Sequence, residues 1–382
     1  MKIFLSFLQS PHNYSIPAYS FWPYYIKNGI EEAGHSWTEN PDADWALGLV
    51  PKTAALQAKW KQDTWGKTIS WLEKNPVSLF LSYLYPEQID VNTIQKIQKL
   101  GIPCINFFCD HVRQFKILPT AFSCFDLNWV PEYQALSMYV KAGYPYIHLP
   151  MPVWIEPAQR YVQKESFPQL TFIGSKDIQR QLLFESITSK RNDLPIKIYG
   201  NNWIEEKALQ PVNINYTFLN KLNNQYQFLK ENGLQAYIRK LDNKNSEHPL
   251  SKLLQVKVQS TQNFSDFQQL TAQSMVTIGV NRFPSYRYPL LHPNTYSRLR
   301  DLEAPMLGAC YLTEYATGLE FLYDLGKDIE TYKNADEFIA KAEWLMADSE
   351  KRKQLKINGQ KRALEVHTIP ESLKKLTNHL KL

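Results

Sequence analysis

The sequence predicts an α/β protein with two Rossmann-like domains, each an open parallel sheet covered by helices, that face each other across a cleft. Three observations predict this fold. The 382 residues are enough for two domains of ordinary size. Short apolar runs alternate with helix-like runs in two successive series, which is typical of parallel sheets. A proline-interrupted stretch at about 150–167 separates the two series and predicts a linker.

The first series predicts an N-terminal domain over residues 1–155. Its apolar runs are typical of buried strands, and the longer runs between them are typical of helices. Gly143 stands where one of these helices would end. The expected strands are Ile3–Phe7, Ala46–Val50, Ser78–Ser82, Cys104–Phe108, Leu127–Val130 and Tyr146–Leu149. The expected helices are Tyr19–Ala33, Thr53–Lys74, Val91–Leu100 and Glu132–Ala142.

The second series predicts a C-terminal domain over residues 165–360. It opens with a strand at Leu170–Gly174, a helix at Ile178–Ser189 and a strand at Ile196–Tyr199. The polar, weakly periodic residues 204–260 indicate a helical insertion. The β/α pattern then resumes at Phe267–Ser274 and Met275–Val280, and a short apolar strand follows at Cys310–Leu312.

The last part of the chain predicts three helices. Asn334 and Glu337 have the spacing of a capping box, which predicts a helix over residues 335–347. A second helix is expected from Ser349 to about His367, and Pro370 breaks it. Residues 361–382 end in a helix at Ser372–Leu382, which we expect to cross back to the first domain.

The net charge of +6 lies entirely in the second part of the chain, because the first 160 residues hold equal numbers of acidic and basic residues. That distribution favours a phosphate-bearing ligand in the second domain, and it is too dilute for a nucleic-acid partner. The four cysteines lack CxxC spacing and are typical of reduced thiols in a cytoplasmic protein. No run approaches the length of a membrane span. The tryptophans and lysines of residues 53–74 leave contact with the inner membrane surface as an alternative to an ordinary surface helix.

Several enzyme classes lose support because their motifs are absent. The chain has no GxGxxG, GxxxxGK[ST], GxSxG or HExxH sequence and no set of histidines and cysteines with zinc-binding spacing. Rossmann redox enzymes, P-loop proteins, serine hydrolases and zinc proteases are therefore disfavoured.

Candidate anion-binding residues follow the strands of the second domain. Backbone N–H groups at a strand-to-helix turn can hold phosphate, and arginine neutralises a diphosphate while a carboxylate accepts from ribose hydroxyls. For each segment, an ordinary turn or a structural ion pair is the alternative. The candidates are Gly174 and Ser175 with Arg180, Tyr199 with Gly200, Asn281 with Arg282, and Arg298 with Glu303.

The first domain offers candidates for proton transfer and for binding an acceptor. Asp110 and His111 follow the strand Cys104–Phe108, where either can act as a general base; a helix cap and a surface histidine are the alternative. His12, Trp22 and Tyr24 can form an acceptor surface by stacking, although core packing explains the rings equally well.

The order of these motifs resembles the CgeB-like glycosyltransferases of the group-1 type, which have a GT-B fold. The first domain contributes FFCDH at 107–111 and the run from DLNWVPEY to HLPMP at 126–152. The second contributes LTFIGSKDIQR at 170–180 and IKIYGNNW at 196–203. The closing signature runs from RLRDLEAP at 298 to KNADEF at 338, and NGQKRALEVHT at 358–368 resembles the final helix.

The resemblance implies transfer of a sugar from a nucleotide-diphosphate sugar to a hydroxyl group of a glycan, lipid-linked glycan or protein, with no metal or other cofactor required. It implies that Gly174, Ser175 and Arg298 bind phosphate, that Tyr199 and Gly200 line the base or phosphate pocket, and that Glu303 holds the ribose. It also implies that Asp110 or His111 faces the donor sugar.

Departures from the family pattern leave the mechanism open. Related retaining enzymes often have two glutamates eight positions apart, but here Thr295 stands eight residues before Glu303. Phe7 and Leu8 stand where a glycine pair is common. Retention and inversion both remain open. A nucleotide-sugar epimerase and a non-catalytic nucleotide- or sugar-binding protein remain alternative functions on the same fold.

Overall fold

The computed structural model describes residues 1–12, 14, 21–50, 52–204, 225–226, 228–230, 232–245, 249–260 and 263–382. Residues 205–224 of the predicted insertion, and 246–248 with 261–262, therefore lie outside the described residues. The chain forms two compact units. The first comprises Met1–Trp154 with Glu365–Leu382, and the second comprises Ile155–Leu364.

The first unit contains a six-stranded sheet in which all strands are parallel, with the order β2-β1-β3-β4-β5-β6. Four-residue strands such as LFLS and LNWV are buried along their whole length, because helices cover both faces of a parallel sheet. The strands are β1 (Lys2–Ser6), β2 (Ser36–Thr38), β3 (Leu79–Ser82), β4 (Cys104–Phe107), β5 (Leu127–Val130) and β6 (Tyr146–His148). The helices are α1 (Phe21–Glu32), α2 (Ala54–Leu72), α3 (Val91–Lys99), α4 (His111–Gln114) and α5 (Leu136–Ala142).

The predicted strand at Ala46–Val50 is wrong, since Ala46–Leu49 form a 3₁₀ turn. Asp44 Oδ1 accepts from the Leu47 N–H at 2.9 Å and starts the turn. Gly48 then lies against the Trp60 ring, where an added Cβ would be 2.4 Å from the ring carbon Cη2. In the first unit, the strand that was not predicted is β2, a three-residue edge strand too short to show an apolar pattern.

The last helix of the chain, α14 (Ile369–Leu380), belongs to the first unit and packs on α1. Ile369 is 1% exposed, and an added Cβ on Gly29 would lie 2.5 Å from the Ile369 Cβ. Pro370 stands in the first turn of α14, where its missing N–H costs nothing. The prediction that Pro370 precedes this helix was therefore wrong by one turn.

The second unit contains a five-stranded parallel sheet with the order β13-β12-β9-β7-β8. Beyond β8, Val258 forms a single parallel bridge with Ile198. The sheet strands are β7 (Phe167–Ile173), β8 (Ile196–Tyr199), β9 (Ser274–Gly279), β12 (Tyr311–Glu314) and β13 (Glu330–Tyr332), and a separate antiparallel pair is β10 (Arg282–Phe283) with β11 (Asn294–Thr295).

The helices of the second unit cover both faces of its sheet. Phe172 and Ile173 are consecutive on β7 and belong to different apolar clusters, so the two faces pack separately. The helices are α6 (Ile178–Lys190), α7 (Leu234–Asn245), α8 (Lys252–Gln255), α9 (Phe264–Gln273), α10 (Arg300–Met306), α11 (Leu319–Leu322), α12 (Ala335–Ala347) and α13 (Ser349–Val366). The N-cap half of the predicted capping box is present, because Asn334 Oδ1 accepts from the Glu337 N–H at 2.9 Å, whereas Glu337 Oε2 accepts from the Lys333 N–H at 2.8 Å.

Candidate functional site

The strand order of the second unit places two predicted segments at one edge of the sheet. From β7 the chain continues to β8 on one side, whereas β9 lies on the other side. Open α/β sheets bind ligands at such a switch point, outside the carboxyl ends of the strands. Gly174 and Ser175 directly follow β7, and Asn281 and Arg282 follow β9. The structure therefore brings these two segments together.

The turns after β7 and β8 are held together by hydrogen bonds to the backbone of Gly174 and Tyr199. The Gly174 N–H donates to the Tyr199 carbonyl oxygen at 2.9 Å, and Trp203 Nε1 donates to the Gly174 carbonyl oxygen at 2.7 Å. Gly200 has a φ of +139°, and an added Cβ would lie 2.3 Å from the Gly174 oxygen. Only glycine fits this approach. Ser175 is exposed beside it.

Tyr199 contributes its backbone to this turn and its ring to the core. The side chain is 8% exposed and packs with Ile173 and Leu270, while Gln169 Nε2 donates to the phenol oxygen at 3.3 Å. A role in lining a base or phosphate pocket stays a prediction for Tyr199.

Arg180 is a mostly buried cation at the switch point. Its guanidinium Nη1 donates to the Ser175 carbonyl oxygen at 2.6 Å, and its Cζ lies 5.6 Å from the centre of the Phe172 ring. Asp177 caps α6 by accepting from the Arg180 N–H at 2.9 Å. Burial, followed by the positive charge of Arg298, lowers the pKa of Arg180 to about 10. A cation in this setting gains from a bound anion.

Two more arginines lie at the start of α10: Arg298 is in the loop that leads into the helix, and Arg300 is its first residue. Arg298 packs on an aromatic ring, with its Cζ 5.5 Å from the centre of the Tyr296 ring. Both Arg298 and Arg300 are near enough to Arg180 to lower its pKa. Arg300 Nη1 lies 2.8 Å from Glu303 Oε2. We call Arg180, Arg298 and Arg300 the arginine cluster.

Glu303 stands in the first turn of α10 and is 5% exposed. Its ion pair with Arg300 gives the carboxylate a fixed position beside the arginine cluster. Pro305 lies two residues further along the same helix and does not end it. The proposed role of Glu303 in binding a ribose stays a prediction.

Asn281 and Arg282 are both engaged with β12. Asn281 Nδ2 donates to the Glu314 carbonyl oxygen at 2.7 Å. The Arg282 guanidinium makes a bidentate pair with Glu314, including a 2.8 Å bond from Nε to Oε1, and Glu314 is 2% exposed. Burial works against the charge of Arg282, but the hydrogen bonds and charge of Glu314 outweigh it and raise the pKa of Arg282. Glu314 was not among the predicted site residues, although its place at the carboxyl end of an apolar strand was an available signal.

The two candidate general bases of the first unit differ in exposure: one is buried and the other is partly exposed. His111 is fully buried: Glu132 Oε2 lies 2.7 Å from its backbone N–H and 2.9 Å from Nδ1, and the Tyr139 hydroxyl lies 2.8 Å from Nε2. Asp110 is half-buried and makes no capping hydrogen bond to α4. A general base must reach the proton that it removes, so Asp110 is the better placed of the two.

The three predicted acceptor residues do not form one stacking surface. Trp22 is 4% exposed and packs among core rings, whereas Tyr24 is 43% exposed and meets Trp154 edge to face at 5.5 Å. Two residues apart on α1, their side chains point to different faces. His12 is exposed, with its ring 6.1 Å from that of Tyr14. Contact of any of the three with an acceptor stays a prediction.

The described part of the chain contains neither a metal-binding cluster nor a membrane-spanning helix. No group of three or more histidine, cysteine, aspartate or glutamate side chains there could hold a metal ion. No helix in those ranges has the length and apolar character needed to cross a membrane.

Solved structures similar to this chain share its architecture. Sucrose-phosphate synthase from Thermosynechococcus elongatus matches with a TM-score of 0.60 and 11% identity over 99% of this chain and 98% of its own. A glycosyltransferase from Rickettsia africae matches with a TM-score of 0.60 and 10% identity over 100% of this chain and 97% of its own. HepE from Anabaena, solved with UDP and glucose, matches with a TM-score of 0.56 and 11% identity over 100% of this chain and 99% of its own. These similarities show the GT-B fold, as the sequence predicts. A search of curated proteins finds no match.

The family assignment rests on the second half of the chain. The profile described as "Glycosyl transferase-like" matches residues 179–378, which is more than half of the 382 residues. The matched range contains the arginine cluster, Glu303 and the paired residues Arg282 and Glu314. Neither the epimerase nor the non-catalytic alternative is favoured by these comparisons. The chain therefore belongs to the glycosyl transferase-like family and is a glycosyltransferase with a GT-B fold.

Proposed function

We propose that this enzyme binds the diphosphate of a nucleotide-sugar donor at the switch point of its second unit and transfers the sugar to a hydroxyl acceptor. The observation that carries the proposal is the arginine cluster beside the turn at Gly174. Within the cluster, Asp177 pairs with Arg180 and Glu303 pairs with Arg300. The pKa of Arg180 is nevertheless lowered by burial and by the charges of Arg298 and Arg300, so a bound diphosphate would stabilise its charge, and arginine binds phosphate through several donors at once.

The other donor contacts follow from this placement. Gly174 and Ser175 supply backbone groups to the phosphates, Tyr199 and Gly200 border the nucleotide, and Glu303 accepts from the ribose hydroxyls. Arg282 and Asn281 shape the floor of the site, since both are held by Glu314. The structure of HepE with UDP and glucose supports a nucleotide-sugar donor. Membership of the CgeB-like subgroup is part of the same proposal.

No metal is required in this proposal, because the guanidinium groups provide the positive charge that stabilises a departing diphosphate. Transfer assays in the presence and absence of EDTA test it. A large loss of transfer with EDTA that added Mg²⁺ or Mn²⁺ restores would refute metal independence.

The first unit binds the acceptor in this proposal. If transfer inverts the anomeric centre, Asp110 removes the proton of the acceptor hydroxyl and the buried His111 positions the start of α4. If transfer retains the configuration, the donor diphosphate assists instead. The anomeric configuration of the product, measured by NMR, distinguishes the two routes. Loss of activity in Asp110→Asn is expected only for inversion.

We also propose that the protein works in the cytoplasm, in keeping with its four free cysteines. A more specific alternative is that the cytoplasmic protein contacts the inner membrane surface. On α2, Trp60 and Trp65 are buried, so exposed lysines rather than tryptophans would meet lipid headgroups. Sedimentation with anionic vesicles at low and physiological salt tests this contact.

The central test is binding of UDP, ADP and GDP by calorimetry, followed by transfer or hydrolysis with the matching nucleotide sugars. We expect one diphosphate to bind and its sugar conjugate to be turned over. Epimerised donor would indicate the epimerase, and binding without turnover the non-catalytic protein. Glu303→Ala should weaken nucleotide binding by roughly tenfold or more through lost charged hydrogen bonds.

Glu165→Ala is the matched control for Glu303→Ala. Glu165 also pairs with an arginine, since its Oε2 lies 3.0 Å from Arg352 Nη2, but it precedes β7 and so stands at the opposite edge of the sheet. Equal affinity in wild type and Glu303→Ala would refute the assigned role of Glu303.

A further inference from the structure

Beneath the arginine cluster lies a carboxylate that is completely buried. Asp301 is 0% exposed and is the second residue of α10. Four hydrogen bonds reach it, from side chains of the sheet and from the backbone of the adjacent loop. Burial raises the pKa of Asp301, and these hydrogen bonds oppose that rise. A buried acid with this many donors has a defined structural task.

The two oxygens of Asp301 have different partners. Oδ1 faces the sheet, where it accepts from the Tyr311 hydroxyl at 2.8 Å, from Thr313 Oγ1 at 2.9 Å and from Asn281 Nδ2 at 3.3 Å. Oδ2 accepts from the backbone N–H of Arg298 at 2.9 Å. The carboxylate thus links β12 and the end of β9 to the loop that carries Arg298.

The sheet is shaped to bring these donors to Asp301. An added Cβ on Gly279 would lie 2.1 Å from Thr313 Oγ1 and 2.2 Å from the Tyr311 hydroxyl. Any larger residue would displace both hydroxyls. The tight packing fixes Oδ1, and through the rigid carboxylate it fixes the direction of Oδ2.

Arg298 requires such an anchor because it is held near another cation. The charge of Arg298 is the second cause, after burial, of the lowered pKa of Arg180. Before an anion binds, repulsion favours separation of the two guanidinium groups. An anchored Arg298 backbone opposes that separation and keeps the site ready for a diphosphate.

We propose that Asp301 is a positioning residue that holds Arg298 in place for the nucleotide diphosphate through the Oδ2 to N–H hydrogen bond. The inference rests on the proposed function and adds to it a residue that touches no substrate. In this proposal, donor affinity depends on the loop-facing oxygen Oδ2 and not on the sheet-facing oxygen Oδ1.

Asp301→Asn tests this separation. With its carbonyl oxygen on the sheet side, the amide keeps an acceptor for the three sheet donors, but an NH₂ group replaces the acceptor for the Arg298 N–H. We expect UDP affinity, or that of whichever diphosphate wild type binds, to fall roughly ten- to hundredfold. The KM for the nucleotide sugar should rise with kcat changed less than about threefold, because donor binding rather than chemistry is affected.

Tyr311→Phe is the matched control. It removes one of the three donors to Oδ1 and leaves the contact of Oδ2 with Arg298, so nucleotide affinity should change by less than about threefold. Melting temperatures of both variants separate loss of folding from loss of binding. Wild-type affinity in Asp301→Asn, or an equal loss in Tyr311→Phe, would overturn the proposal.

A double variant covers the case in which Asp301→Asn does not fold. Tyr311→Phe/Thr313→Val removes two of the three sheet donors to Oδ1 and keeps the contact of Oδ2 with Arg298, so nucleotide affinity should change by less than about tenfold. A larger loss of affinity in this folded variant would overturn the proposal. Arg298→Ala distinguishes a failure of the proposed function from a failure of the proposed role of Asp301. If it abolishes binding while Asp301→Asn does not, the proposed function stands and the role of Asp301 fails. If wild type binds no nucleoside diphosphate, both fail.

Discussion

At the scale of single residues, the site is built from charges that destabilise one another. Arg180 is the clearest case, because burial and then Arg298 lower its pKa to about 10. Its folded-state pKa is thus below the unfolded value, so the cost of its charge is fully present at neutral pH, below both values. Binding sites often retain such a cost because the ligand removes it.

This cost gives a prediction for Arg180→Met. The unliganded variant should melt about 2–4 °C higher than wild type for each kcal/mol of relieved strain, while nucleotide binding is lost. Differential scanning fluorimetry with and without UDP measures both effects. Arg191→Met is the control, since Arg191 is 38% exposed at the other end of α6 and pairs with Asp193. A lower melting temperature for unliganded Arg180→Met contradicts the prediction.

The sequence alone did not show which groups pair with one another at the site. Arg282 is one of several arginines in a loop, and only the structure shows that Glu314 occupies its guanidinium. Asp301 follows Arg298 and Arg300 closely in the sequence, and the structure shows that it accepts from the backbone N–H of Arg298. Arg282 and Glu314 come from different strands, so spacing along the chain carries no information about their pairing. The three-residue spacing of Arg298 and Asp301 does not distinguish a backbone contact from a side-chain ion pair.

At the scale of elements, the turns that follow β7 and β8 depend on one close backbone approach. Gly200→Ala should destabilise the second unit by more than the ~1 kcal/mol that a positive φ costs alanine, because the new Cβ would lie 2.3 Å from the Gly174 oxygen. Chemical denaturation measures the change. Nucleotide affinity should fall with it, since Gly174 and Ser175 must shift.

Gly233→Ala is the matched control for Gly200→Ala. Gly233 has a φ of +84°, and nothing lies within 4 Å of an added Cβ there. It therefore incurs the conformational cost alone. Equal destabilisation by the two substitutions would contradict the steric explanation.

Most elements were predictable because parallel strands buried on both faces are continuous apolar runs. The strands Leu127–Val130 and Ile196–Tyr199 and the helix Ala335–Ala347 have the predicted bounds. The error at Ala46–Val50 has the opposite cause. That run is apolar because it packs as a turn under Trp60, and an apolar composition does not distinguish a buried turn from a strand.

At the scale of the whole molecule, the first unit is completed by the end of the chain. Ile369→Ala should destabilise that unit by about 2–4 kcal/mol, because the side chain is buried against Gly29. Affinity for the nucleoside diphosphate should stay at the wild-type value, since the arginine cluster belongs to the second unit. Denaturation and calorimetry on the same sample check the two expectations.

Ile357→Ala controls for the loss of an isoleucine from a helix. Ile357 lies on α13 and is 46% exposed, so its removal should change stability by less than about 0.5 kcal/mol. A stability loss for Ile369→Ala as small as that of Ile357→Ala would show that α14 is not needed by the first unit.

The pattern of residues along the chain was enough to predict the fold class, and it identified the segments that we propose bind the donor. Local periodicity encodes buried strands, and parallel strands place their carboxyl ends at one edge whatever the loops do. The tertiary structure alone decided which charges pair, that His111 is buried, and that Asp301 links the sheet to Arg298. Those outcomes depend on distances between residues far apart in the chain, where packing rather than sequence spacing sets each partner.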